Sequence, residues 1–250
     1  MDHTSRPLLK NNARIIIKTA KPSILTAGLI FLAISIVLSF LSSSVLGVNM
    51  TADDLRQYVN YYLNGDYQAL LRLSESMTPP ATAYLLNLLI QAVLYIVGAG
   101  FLIFILNTVK SVGAVYGNLL DGFGLAAKLI LLALLEGLFI FLWSLLLIVP
   151  GIIAAYRYRM AKFLLLDHPE MDVTDCIRVS KQMMAGHKWE CFVLDLSFIG
   201  WALLAAIPYV GYAVSIWTIP YINTTYVLYY MALAGKPVTV GPAPDQNPYI

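Results

Sequence analysis

The chain is 250 residues long, 59% apolar and only 12% charged, with a formal net charge of +2. Soluble domains carry about 25% charged residues, so this composition excludes an ordinary soluble enzyme and reads as one membrane-embedded helical bundle. Near-neutral charge offers no basis for nucleic-acid binding. Cys176 and Cys191 lack CxxC spacing and read as small buried residues.

Residues 1–22 form a basic amphipathic segment. Ile15-Ile16-Ile17 alternate with Lys10, Arg14, Lys18 and Lys21, the pattern of a short helix lying on an anionic membrane surface. The apolar run that follows is too long for a signal h-region and lacks a cleavage site, so no cleavable leader is expected. The membrane domain covers 23–235, and its first span is 24–48, ample for a bilayer core that needs about 20 residues. Residues 49–80 leave the membrane as an extracytoplasmic loop. Thr51 caps a helix with acidic first-turn residues Asp53 and Asp54, Asn64-Gly65 ends it, and a second short helix runs from Asp66 to Met77. Pro79-Pro80 opens the second span, 81–106.

A Gly-rich surface connector occupies 107–127. The third span is 128–149, Pro150-Gly151 is a turn signal, and a short fourth span covers 152–166. A second turn at Asp167-His168-Pro169 leads to a cytoplasmic amphipathic helix, 172–186, capped by Asp172 or Thr174 and closed by Gly186. That helix either docks a partner or lies on the bilayer. The fifth span is 191–207, Pro208 turns the chain, and the sixth is 212–234. The tail, 236–250, is Gly-Pro rich and expected to be disordered.

Counting bases in the connecting segments sets the orientation. Six spans put Arg6, Lys10, Arg14, Lys18, Lys21, Lys110, Arg178, Lys181, Lys188 and Lys236 on one side and only Arg56 and Arg72 on the other. Both termini are therefore expected in the cytoplasm. Five spans, with 152–166 not crossing, would move Arg178, Lys181 and Lys188 outside.

Two segments share a layout in which a Trp precedes a Pro by seven residues: Trp143 to Pro150 and Trp201 to Pro208. Between them run Pro150-Gly151-Ile152-Ile153-Ala154, Tyr156-Arg157-Tyr158, Ser180-Lys181, Gly186-His187-Lys188-Trp189 and Leu196-Ser197-Phe198-Ile199-Gly200-Trp201, with Pro220-Tyr221 later. This pattern resembles the uncharacterised bacterial integral-membrane family known as domain of unknown function 975. The resemblance covers most of the chain and is most specific in its C-terminal part. It implies a multi-span protein of a bacterial, often Gram-positive, cell membrane, and it brings no activity and no catalytic residues.

The residues that carry chemistry are charges at membrane depth: Glu136, Arg157, Arg159, Lys162 and Asp195. Such charges are costly and need a reason. A helix rise of about 1.5 Å per residue puts Glu136 about 21 Å, Lys162 about 17 Å and Asp195 about 20 Å below the outer turns. Arg157 and Arg159, about 9–12 Å below, point to different faces of their helix. Two readings stand: a polar cavity for an ion, lipid head group or small anion, and a structural lock of mutually neutralised charges. The sixth span adds a possible kink and polar site at Pro220, Asn223 and Thr224, with Thr225 beside them.

His3, His168 and His187 lack ligand spacing, and no nucleotide or nucleophile motif is present. No metal, cofactor or catalytic site is expected. The expectation is an all-α polytopic bundle of six transmembrane helices with short amphipathic surface helices. Its function is expected to be non-enzymatic binding of membrane lipids, a protein partner or a second copy in the cell envelope. A small transporter or channel subunit using the charged cluster is the alternative, and an enzyme acting on lipid comes third.

Overall fold

Helix boundaries follow local chemistry throughout. A computed structural model describes residues 5–47, 51–207 and 209–236. Among these, all regular structure is helical. The chain opens with α1 (Arg6–Thr19) and α2 (Ile24–Leu46), followed by the short helices α3 (Ala52–Leu63) and α4 (Tyr67–Met77). Thr51 closes a capping box on α3: its hydroxyl accepts from the Asp54 amide, and Asp54 accepts from the Thr51 amide at 2.8 Å. Gly65, at φ +68°, supplies the left-handed residue that reverses the chain into α4.

Next come α5 (Ala81–Lys110), a 3₁₀ helix (Tyr116–Leu125) and α6 (Ala126–Leu146). Among the described residues, three helices are long and apolar enough to cross a membrane: α2, α5, and the run from Tyr116 to Leu146. The rest is built from α7 (Ile148–Tyr158), α8 (Ala161–Asp167), α9 (Val173–Met183), α10 (Lys188–Leu196), α11 (Ile199–Ala205) and α12 (Val210–Leu233).

This part departs from six uninterrupted spans. The segment 152–166 is divided between α7 and α8, and 191–207 between α10 and α11. The interruptions are bends and not reversals, because Arg159, Met160, Ser197 and Phe198 all keep right-handed torsions. Ser180 of α9 explains the first one. Its hydroxyl donates to the Arg157 carbonyl at 2.9 Å and accepts from the Met160 amide at 3.1 Å, replacing helix bonds lost at the break. Pro150 and Gly151 do not form the turn expected of them. The chain reverses at Leu147, in extended conformation, and Pro150 lies in the first turn of α7, where a missing N–H costs nothing. Pro208 and the tail 237–250 lie outside the described residues.

The chain divides into two compact units. One, Ala33–Tyr95, holds the second half of α2, α3, α4 and the first half of α5. Inside it the Ser42 hydroxyl donates to Asn87 Oδ1 at 2.6 Å, a polar link between α2 and α5 of the kind that joins helices in lipid. The other unit comprises 5–32 and 96–236 and is organised on α12. Although α12 is 24 residues long, its Thr, Asn and Tyr side chains make it more polar than the three long apolar helices, and most of those in its C-terminal half point inward: Thr224, Thr225, Tyr221, Tyr229 and Tyr230 are all buried.

Two amphipathic helices find protein partners. The apolar face of α1, expected to rest on lipid, packs on α12 through Leu9, Ala13, Ile16 and Ile17. Lys10 reaches over to donate to the Ser197 carbonyl at 3.1 Å and lies over the Phe198 ring; burial and neighbouring Arg14 hold its ammonium below the usual lysine pKa. Helix α9, expected on the bilayer or a partner, has its apolar face covered by α6, α7 and α8, burying Val173, Cys176 and Ile177. Its Lys181 lies over the rings of Phe139 and Tyr158.

The 3₁₀ helix approaches α5 at two glycines. A Cβ on Gly100 would stand 2.0 Å from the Leu119 carbonyl oxygen, and one on Gly122 would stand 2.3 Å from the Ile96 carbonyl oxygen. Both obstacles are backbone, which cannot swing away. We expect Gly100→Ala and Gly122→Ala each to cost about 1–3 kcal/mol through overpacking. Gly124→Ala, which meets nothing within 4 Å, should leave stability unchanged. Thermal unfolding of the detergent-purified variants checks this, and equal melting of all three would refute it.

Candidate functional site

Four of the five charges singled out in the sequence separate into two groups. Asp195 on α10 is the centre of the first. Arg159 donates to its Oδ1 at 3.0 Å, the Tyr156 hydroxyl donates to Oδ2 at 2.8 Å, and Tyr226 of α12 donates to Oδ1. The Arg159 guanidinium also stacks over the Tyr226 ring at 4.6 Å, so its face and its edge are both occupied. Both carboxylate oxygens are filled by donors from α7, α12 and the bend after α7. Such an arrangement neutralises the acid and fixes three elements against one another.

Glu136 and Lys162 make the second group, coupled through their charges. Arg159 and Lys162 would share a face of an unbroken helix. The bend at Arg159–Met160 separates them, sending Arg159 towards α10 and Lys162 towards Glu136 on α6. Glu136 Oε1 is buried with no hydrogen-bond partner among the described residues. Arg157 enters through its backbone, as the acceptor for Ser180.

On α12 the polar residues near Pro220 mostly bond within the helix. Asn223 donates to the Ile219 carbonyl at 2.8 Å, Thr218 to Val214 and Thr225 to Tyr221. Pro220 is buried, and a Cβ on Gly28 of α2 would meet its ring at 2.6 Å. Close helix packing is therefore its observed role. Thr224 Oγ1 is the exception, buried without a hydrogen-bond partner among the described residues.

A further hub was not anticipated from the sequence. Asp167, read as a turn residue, has a fully buried side chain. It accepts from Lys110 at the end of α5, from Lys236 beyond α12 at 2.5 Å, and from the Tyr230 hydroxyl at 2.6 Å. Burial holds the Lys236 ammonium below its usual pKa. The partners stand 57 to 69 positions away in the chain, so no local pattern marks them. The one available signal was an acid closing the apolar run Phe163–Leu166, every residue of which is buried.

Two cavities adjoin these groups. One of about 630 Å³ is lined by Asn107, Lys110, Asp121, Leu125 and Asp167 among others. The other, about 420 Å³, is a groove walled by Ile152, Ile153, Tyr156, Phe192 and Trp189, with Lys188 beside it. The described residues contain no group of three or more side chains suited to a metal ion. His168 and His187 each bond a nearby glutamate, Glu170 and Glu190, and His3 lies outside the described residues.

Removing one partner from a buried, neutralised network leaves the others uncompensated. We expect Asp167→Ala, at a fully buried acid, to cost about 3–5 kcal/mol, and Asp195→Leu, at a partly exposed one, to cost about 1–3 kcal/mol. Asp121→Ala, at an exposed acid, should stay within about 0.5 kcal/mol. Thermal melting in detergent compares them, and equal melting of the exposed and the buried variants would rule out the lock.

No curated protein and no solved structure matches the chain. The segment 144–236, which carries α7 to α12 and with them Arg159, Lys162, Asp167 and Asp195, matches the model of the family described as Protein of unknown function (DUF975).

Proposed function

We propose that this chain is a non-enzymatic, lipid-binding protein of a bacterial cytoplasmic membrane, crossing it six times with both termini inside. The groove between α7 and α10 carries the reading. Its walls are aromatic and aliphatic, its volume of about 420 Å³ suits an acyl chain, and Lys188 offers a cation to a phosphate head group. Trp189, 71% exposed, is the amphipathic residue type that gathers at membrane–water interfaces. The Asp195 and Asp167 networks favour a binding role over catalysis, since both carboxylates already have their donors.

The six-crossing topology draws support from two hairpins. In the first, α7 and α8 run back along α6: Gly151 lies against Ser144 at one end, and Lys128 bonds the Pro169 and Met171 carbonyls at the other. In the second, α10 and α11 run along α12, with the His187 carbonyl on Tyr229, Phe198 against Tyr221 and Ala205 against Gly211. The excess of Lys and Arg in 1–22, 107–127, 167–190 and the tail favours a cytoplasmic location for these segments.

One observation favours a second reading, a small transporter or channel subunit. Glu136 Oε1, which has no hydrogen-bond partner among the described residues, is a buried carboxylate oxygen at which a cation could pause.

Phospholipid retained after gentle detergent extraction, measured by native mass spectrometry, tests the first reading. The pair Lys188→Gln and Trp189→Ala should lower retained anionic phospholipid about threefold or more, while Glu136→Gln should leave it unchanged. Unchanged lipid in the groove variants, or one stoichiometric protein partner in place of lipid, would overturn it. Ion or solute uptake into liposomes that Glu136→Gln abolishes would establish the second reading instead.

A further inference from the structure

The α3–α4 hairpin displays an apolar stripe for which its own unit offers little cover. Leu55, Tyr58, Val59, Tyr62 and Leu63 recur at i, i+3, i+4, i+7 and i+8, one face of a helix. All five are exposed, Tyr62 at 63% and Leu63 at 76%, and no residue of α3 is buried. On α4, Tyr67 and Leu71 are exposed as well. The opposite face of α3 carries Asp53, Arg56 and Asn60, with Arg56 and Asp53 paired at 3.3 Å. A stripe this regular on a helix with a solvated back needs an apolar neighbour.

Covalent connection decides which one. The hairpin joins α2 to α5, two of the three helices long and apolar enough to cross a membrane. Five residues separate α2 from α3, and three separate α4 from α5. Fully extended, these links reach about 20 Å and about 14 Å. The hairpin therefore cannot leave the bilayer surface by more than the thickness of a head-group layer and a little water. Tyrosine makes up much of its apolar face, and a ring with a polar tip is suited to that boundary. A net negative charge, with Asp53, Asp54, Asp66 and Glu75 against Arg56 and Arg72, gives no electrostatic handle for an anionic surface. Attraction would come from apolar area alone.

We infer that the α3–α4 hairpin lies flat in the head-group region of the bilayer, its Leu55–Tyr58–Tyr62 face towards the acyl chains and its Asp53–Arg56–Asn60 face towards water. The hairpin is thus a lipid-contacting surface and not a free soluble loop. This inference rests on α2 and α5 crossing the membrane.

Spin labels on single cysteines test it in the full chain, reconstituted into phosphatidylcholine–phosphatidylglycerol vesicles. The native Cys176 and Cys191 are buried, and the wild-type chain serves as the labelling blank. Tyr62→Cys reports the apolar face, Asn60→Cys the polar face and Phe40→Cys the exposed side of α2. Collision with dissolved oxygen marks lipid, and collision with a water-soluble nickel chelate marks water. The oxygen-to-nickel ratio at position 62 should exceed that at position 60 about threefold or more and approach that at position 40. If position 40 reads lipid but position 62 matches position 60, the hairpin inference alone falls. Shielding of position 62 from both reagents would show a protein covering it and overturn the inference too. A water-like reading at position 40 would remove the crossing of α2 and the inference together.

Discussion

Two carboxylates, Asp167 fully buried and Asp195 partly so, are each tied to a tyrosine on one face of α12, and most of the larger unit depends on this pairing. Tyr226 donates to Asp195 and Tyr230, one turn later, donates to Asp167. Tyr229 lies between them and donates to the His187 carbonyl. In surroundings this apolar, an unmatched carboxylate is far costlier than in water. Each acid therefore holds its partners in place: Arg159 and Tyr156 around Asp195, Lys110 and Lys236 around Asp167. Helix α12 thereby joins α5, α7, α8 and α10 through polar groups, while α1 packs on it through its apolar face and through Arg14 over the Tyr221 ring.

The interruption between α7 and α8 follows the same economy of polar groups. A bend in an apolar helix exposes backbone N–H and C=O groups that lipid cannot satisfy. Ser180 of α9 satisfies both at once. This draws α9 into the bundle and leaves its apolar face covered by α6, α7 and α8 and not free for a membrane or partner. The bend also divides the charges, so that Arg159 and Lys162 serve different acids. The apolar groove lies along the same helix pair that the Asp195 network holds together.

Composition and periodicity made the class and much of the element order legible. Apolar runs long enough to cross a bilayer stand out in any chain, because twenty apolar residues in a row are rare elsewhere. The caps at Thr51 and the stop at Gly65 could be read because they are set by residues within one turn of each other. The two alternating segments, Arg6–Thr19 and Val173–Met183, were legible as amphipathic helices by their period. Their partners were not, because an apolar stripe specifies only that something apolar covers it.

What the sequence by itself determined was therefore local or additive: an all-helical, strongly apolar chain, its helix ends, and the presence of charges that need neutralising. Only the tertiary structure decided the pairings. It joined Arg159 to Asp195 and Lys162 to Glu136, made a hub of Asp167 with partners from distant segments, and moved the reversal from Pro150 to Leu147. The physical reason is range. Torsional preference and hydrophobic period act over a few residues, whereas ion pairs, tyrosine hydrogen bonds and backbone satisfaction at a bend depend on which surfaces meet after folding.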